Sequence, residues 1–489
     1  MKSLVPYLIC TTLAFPVVPV SAAPISFMQA WEVLQKDNNS LAAERENVSR
    51  YRYLKDATDN LSLPRVSIGA NYTRLDDNVT LSGKKILDNT KLEAPAGTAA
   101  TLSSLISSIN QELAALGGVG TTTTISKQDV VHSSIRAMWP IFTGGRISAA
   151  QSAAEGKQDE AASQLQMETL ARYEDLAKYY FSVVLTKEVL TTRQAVEAGL
   201  AKHRNNAVKL EQQGQIAHVE RLQADVALDK ATIERKKAQK NVNIAQSALT
   251  TILGQDAEVE PKDTLFTNRT LPPMSAFTEQ TLATYPGLSI LDAKEKQATS
   301  LRKSEQGKYY PNVYLYGSYN LYEDDSIASQ LKPDWVAGIG VSIPLIESTG
   351  RSDRAKAASS AISQIHYLRA QAHEDLSVLV QKTYQQAGQA LEEVDGLNSS
   401  IALAKENLRL RQKAFNQGLS TSLDVVDAEL YKAQVQTQQA VASYHYLIAL
   451  TKLLALSSEV DTFSHYRRSA LRLHHTPKTA PSRQTEVAK

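Results

Sequence analysis

The sequence predicts a mixed α and β fold: four β-strands and long coiled-coil-like α-helices, arranged as a tandem repeat. Three observations carry this. Two long spans contain no proline. Four short segments alternate apolar with small or polar residues. Landmarks of the first half recur in the second at fixed spacings.

The helices come first. Residues 141–260 and 345–476 lack proline over 120 and 132 positions and are rich in Ala, Gln, Glu, Lys and Leu. Proline is expelled from helix interiors because it lacks an N–H and clashes with the preceding turn. Leu170, Tyr173, Leu176, Tyr180 and Val183 recur every three or four residues, as do Val242, Ala245, Leu249 and Ile252. That is the helical period, and runs of this length imply coiled-coil-like helices. Long helices are expected over 146–213, 218–253, 351–417 and 421–457. At about 1.5 Å per residue the first spans roughly 100 Å and the second roughly 60 Å. A shorter helix over about 40–61 adds roughly 33 Å. The two shorter helices placed end to end nearly match the long one, so a flat helical slab with strands at one end is expected.

The strands and the repeat are read together. "SLPRVSIGANY" (62–72) matches "YYPNVYLYGSY" (309–319): Pro64 pairs with Pro311, Val66 with Val313 and Tyr72 with Tyr319, each 247 residues on. "WPIFTGGR" matches "IPLIESTGR" with Pro140 and Pro344 204 apart, and Gly214 stands 204 before Gly418. The first half therefore holds 43 extra residues between its two strand segments. Val66, Ile68, Ala70 and Tyr72 interleave with Ser67, Gly69, Asn71 and Thr73; Ile339, Val341 and Ile343 interleave with Gly338, Gly340 and Ser342. Period-2 alternation of this kind gives a strand with one apolar face. Strands are expected near 64–73, 131–141, 311–320 and 335–344. The repeats are placed at 23–260 and 261–461, with an insertion at 76–128 in the first.

The ends of the chain differ from its middle. Lys2, the apolar run 4–20 and Val20-Ser21-Ala22 read as a secretory leader over 1–22, cut before Ala23. The only cysteine, Cys10, lies inside it, preceded by Ile9 where a lipoprotein leader wants a small residue. From Thr462 the chain is basic, with two prolines, and a disordered tail is expected over 462–489. Overall, 53 Lys and Arg stand against 51 Asp and Glu, which is no nucleic-acid footprint. No apolar run is long enough for a membrane-spanning helix, and short alternating strands escape such a scan. Four strands cannot close a barrel, for which about eight is the practical minimum. An open sheet edge in lipid leaves backbone groups unpaired. If this sheet lies in a membrane, protomers must share a barrel around an axis.

These residues resemble the TolC family of outer-membrane efflux and secretion ducts, over about residues 26–460. "LPRVSIGANY", "PIFTGGR", "YYPNVYLYGSY" and "GLSTSLDVVDA" carry the resemblance, in that order. It implies a homotrimer whose shared 12-strand β-barrel sits in outer-membrane lipid and continues as a 12-helix α-barrel in the periplasm. It also implies two partners, a periplasmic adaptor (membrane fusion) protein and an inner-membrane pump of RND, MFS or ABC type. The expected function is a passive exit duct for small toxic compounds, the outer end of a tripartite efflux system. An exit for secreted proteins or peptides, of type I, is the alternative within that architecture. A soluble periplasmic coiled-coil adaptor is the reading from another class, and four membrane-length strands argue against it.

The resemblance also picks out the helical turns. Gly214, Gly418 and Leu419 stand in the turns where the family docks its adaptor. Asp424 and Asp427 fall where the family places an acidic aperture ring, and Glu220 takes the corresponding place in the first turn. His218-Val219 replaces an Ile-Thr-like pair. Phe415 and Ser420 stand where family latches use a Tyr and an Arg, so the aromatic hydroxyl and the cation of such a lock are both missing. Asp424 has a second reading. With Thr421 as N-cap it would complete a capping box. In the other reading Asp424 and Asp427, at i and i+3 on one helix face, line a wet pore and attract cations. The two glycines read equally as helix C-caps. Trp31, Trp139 and Trp335 are core residues or, for the last two, interfacial aromatics at strand ends. The insertion is a tolerated loop, a partial lid or a recognition surface. No Walker loop, GxSxG, CxxC or HExxH is present, so no enzyme, cofactor, catalytic set or metal site is expected.

Overall fold

The computed structural model describes residues 24–82, 107–108, 111, 122–323, 329, 332–346, 348 and 350–472. The expected leader lies outside them, as do most of the insertion and the last part of the tail. The chain forms two compact units that cut across the sequence repeat. The smaller comprises Arg52–Gly156 and Glu295–Ser363; the larger holds the chain up to Tyr51, Lys157–Lys294 and the chain from Gln364 onward.

The smaller unit holds one four-stranded antiparallel sheet. It is built from β1 (Arg65–Arg74), β4 (Asp129–Phe142), β6 (Asn312–Glu323) and β7 (Trp335–Ser342), in the order β1-β4-β6-β7. Register makes the alternation of each strand coincide. Ile68 faces Ile135, Ile135 faces Tyr319, and Tyr319 faces Trp335; Leu315 likewise faces Ile339 and Val313 faces Val341. One face is thus apolar across all four strands. Val66, Ile68, Tyr72, Tyr319, Trp335, Ile339 and Val341 on it are exposed. The opposite face carries Ser67, Asn71, His132, Ser134, Arg136, Ser318 and Asn320. Pro140, which has no N–H for the ladder, coincides with a register shift between Pro140 and Phe142.

Gly338 and Gly340 lie on the polar face of the edge strand β7, directly opposite Tyr316 and Tyr314. The two rings lie over them. A Cβ on Gly340 would come within 2.4 Å of Tyr314 Cζ, and one on Gly338 within 2.8 Å of Tyr316 Oη. Within the insertion, β2 (Val79–Ser82) and β3 (Thr122–Ser126) pair as a separate antiparallel ribbon.

The larger unit is helical and contains α1 (Phe27–Asp37), α4 (His218–Ile252), α5 (Met274–Thr284), α8 (Ser422–Leu456) and α9 (Phe463–Arg468). Most of α2 (Asn39–Asp59) lies here too. So does most of the two longest helices, α3 (Arg146–Gln212) and α7 (Arg351–Phe415); α6 (Pro286–Gly307) belongs mainly to the smaller unit. No described helix is long and apolar enough to cross a membrane. Ser26 opens α1 with a capping box to Gln29. Phe27, Trp31, Tyr173, Tyr180, Phe181 and Phe463 then form an aromatic core, with Phe27 and Phe463 ring centroids 4.8 Å apart. Trp31 is a core residue, whereas Trp139 and Trp335 are exposed at the strand ends.

One expectation is corrected here. Thr462 does not begin a disordered tail. Phe463–Arg468 is helical, Phe463 is completely buried, and β8 (Leu471–Arg472) pairs with β5 (Phe266–Thr267). Basic composition hid an apolar anchor. Asp263 holds the segment from below: its carboxylate accepts the Phe27 N–H at 2.7 Å and the Tyr180 hydroxyl at 3.1 Å, and it pairs with Arg467. Replacing Phe463 by Ala is expected to cost about 3–5 kcal/mol, read as a lowered thermal midpoint. An unchanged midpoint would remove this segment from the core.

Candidate functional site

The two long helical hairpins of the larger unit, α3–α4 and α7–α8, turn at Gly214 and Gly418. Both turns close alike. Gly214 N–H donates to Glu211 O at 2.8 Å and Gln215 N–H to Leu210 O at 2.8 Å; Gly418 N–H donates to Phe415 O at 3.0 Å and Leu419 N–H to Ala414 O at 2.9 Å. This paired closure needs a left-handed residue, and the two glycines supply φ of +74° and +72°. Leu419, beside the second, is 78% exposed.

The start of α8 gathers the polar groups. Thr421 is its N-cap: its Oγ1 accepts the Asp424 N–H at 3.3 Å, and Asp424 Oδ2 accepts the Thr421 N–H at 2.9 Å. The Ser420 hydroxyl also donates to Asp424, at 2.9 Å, and Arg411 on α7 lies 3.4 Å from its other oxygen. Glu220, on α4, accepts the Ser422 N–H at 2.6 Å. Two carboxylates, one from each hairpin, therefore meet the N–H groups that a helix start leaves unpaired, where the backbone dipole favours negative charge. Asp427 stands apart from this pair. It is exposed, and with Leu423, Leu430, Val219, Leu222 and Val226 it lines an apolar groove of about 480 Å³ between α4 and α8.

The structure thus brings Glu220 and Asp424 to one helix end, while Asp427, further along α8, takes no part in the cap. The capping box is present. Phe415 is buried against Ala207, Ala224 and Val425, and its ring packs on His203 with centroids 4.5 Å apart. His203 was not singled out by sequence. It is buried on α3, with Nε2 2.7 Å from Ser422 Oγ. Burial lowers its pKa to about 4, against the opposing pull of the Glu220 charge. The same α3–α4 end carries a charged network missed by sequence: Arg221 to Glu211 at 2.7 Å and Arg204 to Asp225 at 2.8 Å. Spacing within one helix cannot reveal such pairs, because the partners are chosen by the fold. Among the described residues no cluster of His, Cys, Asp or Glu could hold a metal ion.

With fold and turns described, the comparisons define the class. The model of the outer membrane efflux protein family matches residues 32–255 and 278–458, most of the chain, which belongs to that family. It is an outer-membrane protein. Solved structures share the fold at low identity. The outer-membrane channel OprN aligns with a TM-score of 0.69 at 15% identity, over 88% of this chain and 90% of that one. VceC of Vibrio cholerae gives 0.68 at 14%, over 88% and 96%. MtrE of Neisseria gonorrhoeae, in its open state, gives 0.67 at 17%, over 89% of each chain. No curated protein sequence matches the chain.

The capping box is open to test. The bonds from the Thr421 backbone, the Thr421 hydroxyl and the Ser420 hydroxyl, with Arg411 in support, hold the Asp424 pKa below its ordinary 3.8. A depressed carboxylate stabilises the fold above its unfolded pKa and loses that contribution as pH falls through the folded value. Thr421→Ala is expected to cost about 1 kcal/mol. The deficit between wild type and Asp424→Ala should be constant at neutral pH and shrink below about pH 4. Asp427→Ala should melt like wild type. A melting loss in Asp427→Ala equal to that of Asp424→Ala would contradict the separation of the two carboxylates.

Proposed function

We propose that the chain is one protomer of a homotrimeric exit duct in a tripartite efflux system. Three copies of the sheet close a 12-strand barrel in outer-membrane lipid, and the long helices continue it as a 12-helix barrel through the periplasm. The channel is passive. It carries small toxic compounds delivered by a periplasmic adaptor and an inner-membrane pump of RND, MFS or ABC type.

The apolar face running in register across four strands supports this reading most directly. Its exposed Val66, Ile68, Ile339 and Val341 suit hydrocarbon, and the opposite face suits water. Among the described elements β1 pairs only with β4, and β7 only with β6. In lipid each unpaired backbone group costs several kcal/mol, so β1 of one copy must pair with β7 of the next. Trp139 and Trp335 at the strand ends fit the interfacial belt.

Within this reading Asp424, Asp427 and Glu220 supply the negative charge of the periplasmic aperture, and the turns at Gly214, Gly418 and Leu419 receive the adaptor. Asp427 is the group whose charge can be removed without disturbing the α8 cap. Asp427→Ala should lower cation selectivity in planar bilayers and leave assembly intact. Unchanged selectivity in a correctly inserted channel would take Asp427 out of the aperture.

Assembly and topology are tested on the full chain. The outer-membrane fraction should yield a detergent-stable trimer; a water-soluble monomer from the periplasm would defeat the reading. Cys10, inside the expected leader, is the sole cysteine, so single cysteines report cleanly. Asp77→Cys, beside β2, should react with an impermeant thiol reagent on intact cells. Leu419→Cys should react only after the outer membrane is permeabilised. The reverse pattern would invert the topology. A deletion strain that loses export of a peptide but keeps resistance to small compounds would favour the secretion alternative.

A further inference from the structure

Four helices meet around His203 in the larger unit. Its ring is almost fully buried. On one side it shares a hydrogen bond with Ser422 of α8, and on another it packs on Phe415 of α7. The backbone N–H of the same Ser422 is held by Glu220 of α4. One serine thus ties α8 to both helices of the first hairpin, through its hydroxyl to α3 and through its N–H to α4.

We propose that His203, Ser422 and Glu220 form a proton-sensitive clasp that holds the two hairpins together at their turns while His203 is neutral and releases them when it is protonated. The proposal rests on the reading of the chain as an exit duct and adds that its helical end opens and closes. The chemistry follows from the contacts. A proton taken from water onto the imidazole puts a charge in a buried position against the Phe415 ring, where burial disfavours the charged form. It also makes both ring nitrogens donors. The imidazolium then competes with the Ser422 N–H for the Glu220 carboxylate, the group that ties α4 to α8.

Other charges around the cluster are committed elsewhere. On α3 and α4, Arg204 pairs with Asp225 and Arg221 with Glu211. On α7 and α8, Arg411 pairs with Asp424. Glu220 is the charge that acts on His203, and burial outweighs it, leaving the pKa near 4 against an ordinary 6.5. The sign is therefore definite. The closed tip takes up the proton less readily than a hydrated, released tip. It is fully favoured above pH 6.5 and loses ground as pH falls from 6.5 toward about 4. One proton changes the closed-to-open ratio by up to about tenfold per pH unit over that window.

The test reads the hairpins themselves. Gln213 and Gln417, exposed just before the two turn glycines, are replaced by Cys and spin-labelled in the assembled protein. Pulsed distance measurements are taken at pH 7.5 and 4.5. In trimers where labelled protomers are diluted with unlabelled ones, the expected result is a narrow, short 213–417 distance at pH 7.5 and a longer or broader distribution at pH 4.5. His203→Gln, which keeps a hydrogen-bonding group but cannot charge, should hold the short distance at both. Ser422→Ala, which keeps the imidazole and loses the hydroxyl, should open at a higher pH than wild type and covers the case in which His203→Gln fails to assemble. A pH-independent distance in wild type would overturn the clasp. So would a wild-type pH response in His203→Gln, or an unshifted one in Ser422→Ala. Conductance is recorded separately on the same samples: a normal distance response without any conductance would count against the duct and not against the clasp.

Discussion

The hydrogen-bonding groups along the outer edges of β1 and β7 are the constraint on which the smaller unit depends. In water an open edge is tolerable, because solvent completes it. In hydrocarbon it is not. The sheet answers in two ways at once. Its register lines up Val66, Ile68, Ile135, Tyr319, Trp335, Ile339 and Val341 on one face, so that face can be given to lipid. Its edge strand β7 carries glycine on the other face, where Tyr314 and Tyr316 of β6 lie across Gly340 and Gly338. An edge strand stripped of side chains would pack poorly, and aromatic cover from the neighbouring strand compensates. The glycines and tyrosines are therefore one feature, and neither residue type explains the position alone.

In the larger unit the corresponding role falls to the segment that links the two repeats. Ile25 forms a parallel bridge with Pro261, Asp263 takes the Phe27 N–H and pairs with Arg467, and Phe266–Thr267 pairs with Leu471–Arg472. A buried carboxylate is costly unless its partners are complete. Asp263 draws those partners from near the beginning, the middle and near the end of the chain, so its burial is sustained only once all three have arrived. Asn268 repeats the pattern nearby, donating to Tyr466 O at 2.8 Å and accepting the Tyr446 hydroxyl at 2.8 Å. The order of the segment after Thr462 follows from these contacts rather than from its composition.

Much of the fold was legible in the sequence, and the physical reason is periodicity. A two-residue period is visible in "VSIGANY" and "VYLYGSY" because one face must be apolar whatever the neighbours are. Absence of proline over more than a hundred residues admits few structures besides helix. Phe463 was lost because a single apolar anchor in a basic stretch has no period. The site was less legible for a different reason. The Thr421–Asp424 box is local and could be read, whereas Glu220 finds Ser422 across 202 residues and His203 finds it across 219. One clue was available. At the repeat spacing of 204, His203 corresponds to Asn407, so the halves differ at that position. A departure from an otherwise regular repeat marks a place where the two copies have stopped being equivalent.

That loss of equivalence is clearest where the return helices begin. Both α4 and α8 follow a glycine turn and both need acceptors for their first N–H groups. α8 has a complete set: Thr421 and Asp424 from its own sequence, and Glu220 from the other hairpin. α4 begins at Ala217, which offers no side-chain cap. Glu220, at the third position of α4 and equivalent by spacing to Asp424, is turned across to Ser422. The first hairpin has given its capping carboxylate to the second. Its own start is left less well satisfied, while the start of α8 draws one of its acceptors from α4. When the hairpins part, the α8 start is therefore the one that loses an acceptor, and the Glu220 carboxylate is freed for the start of its own helix.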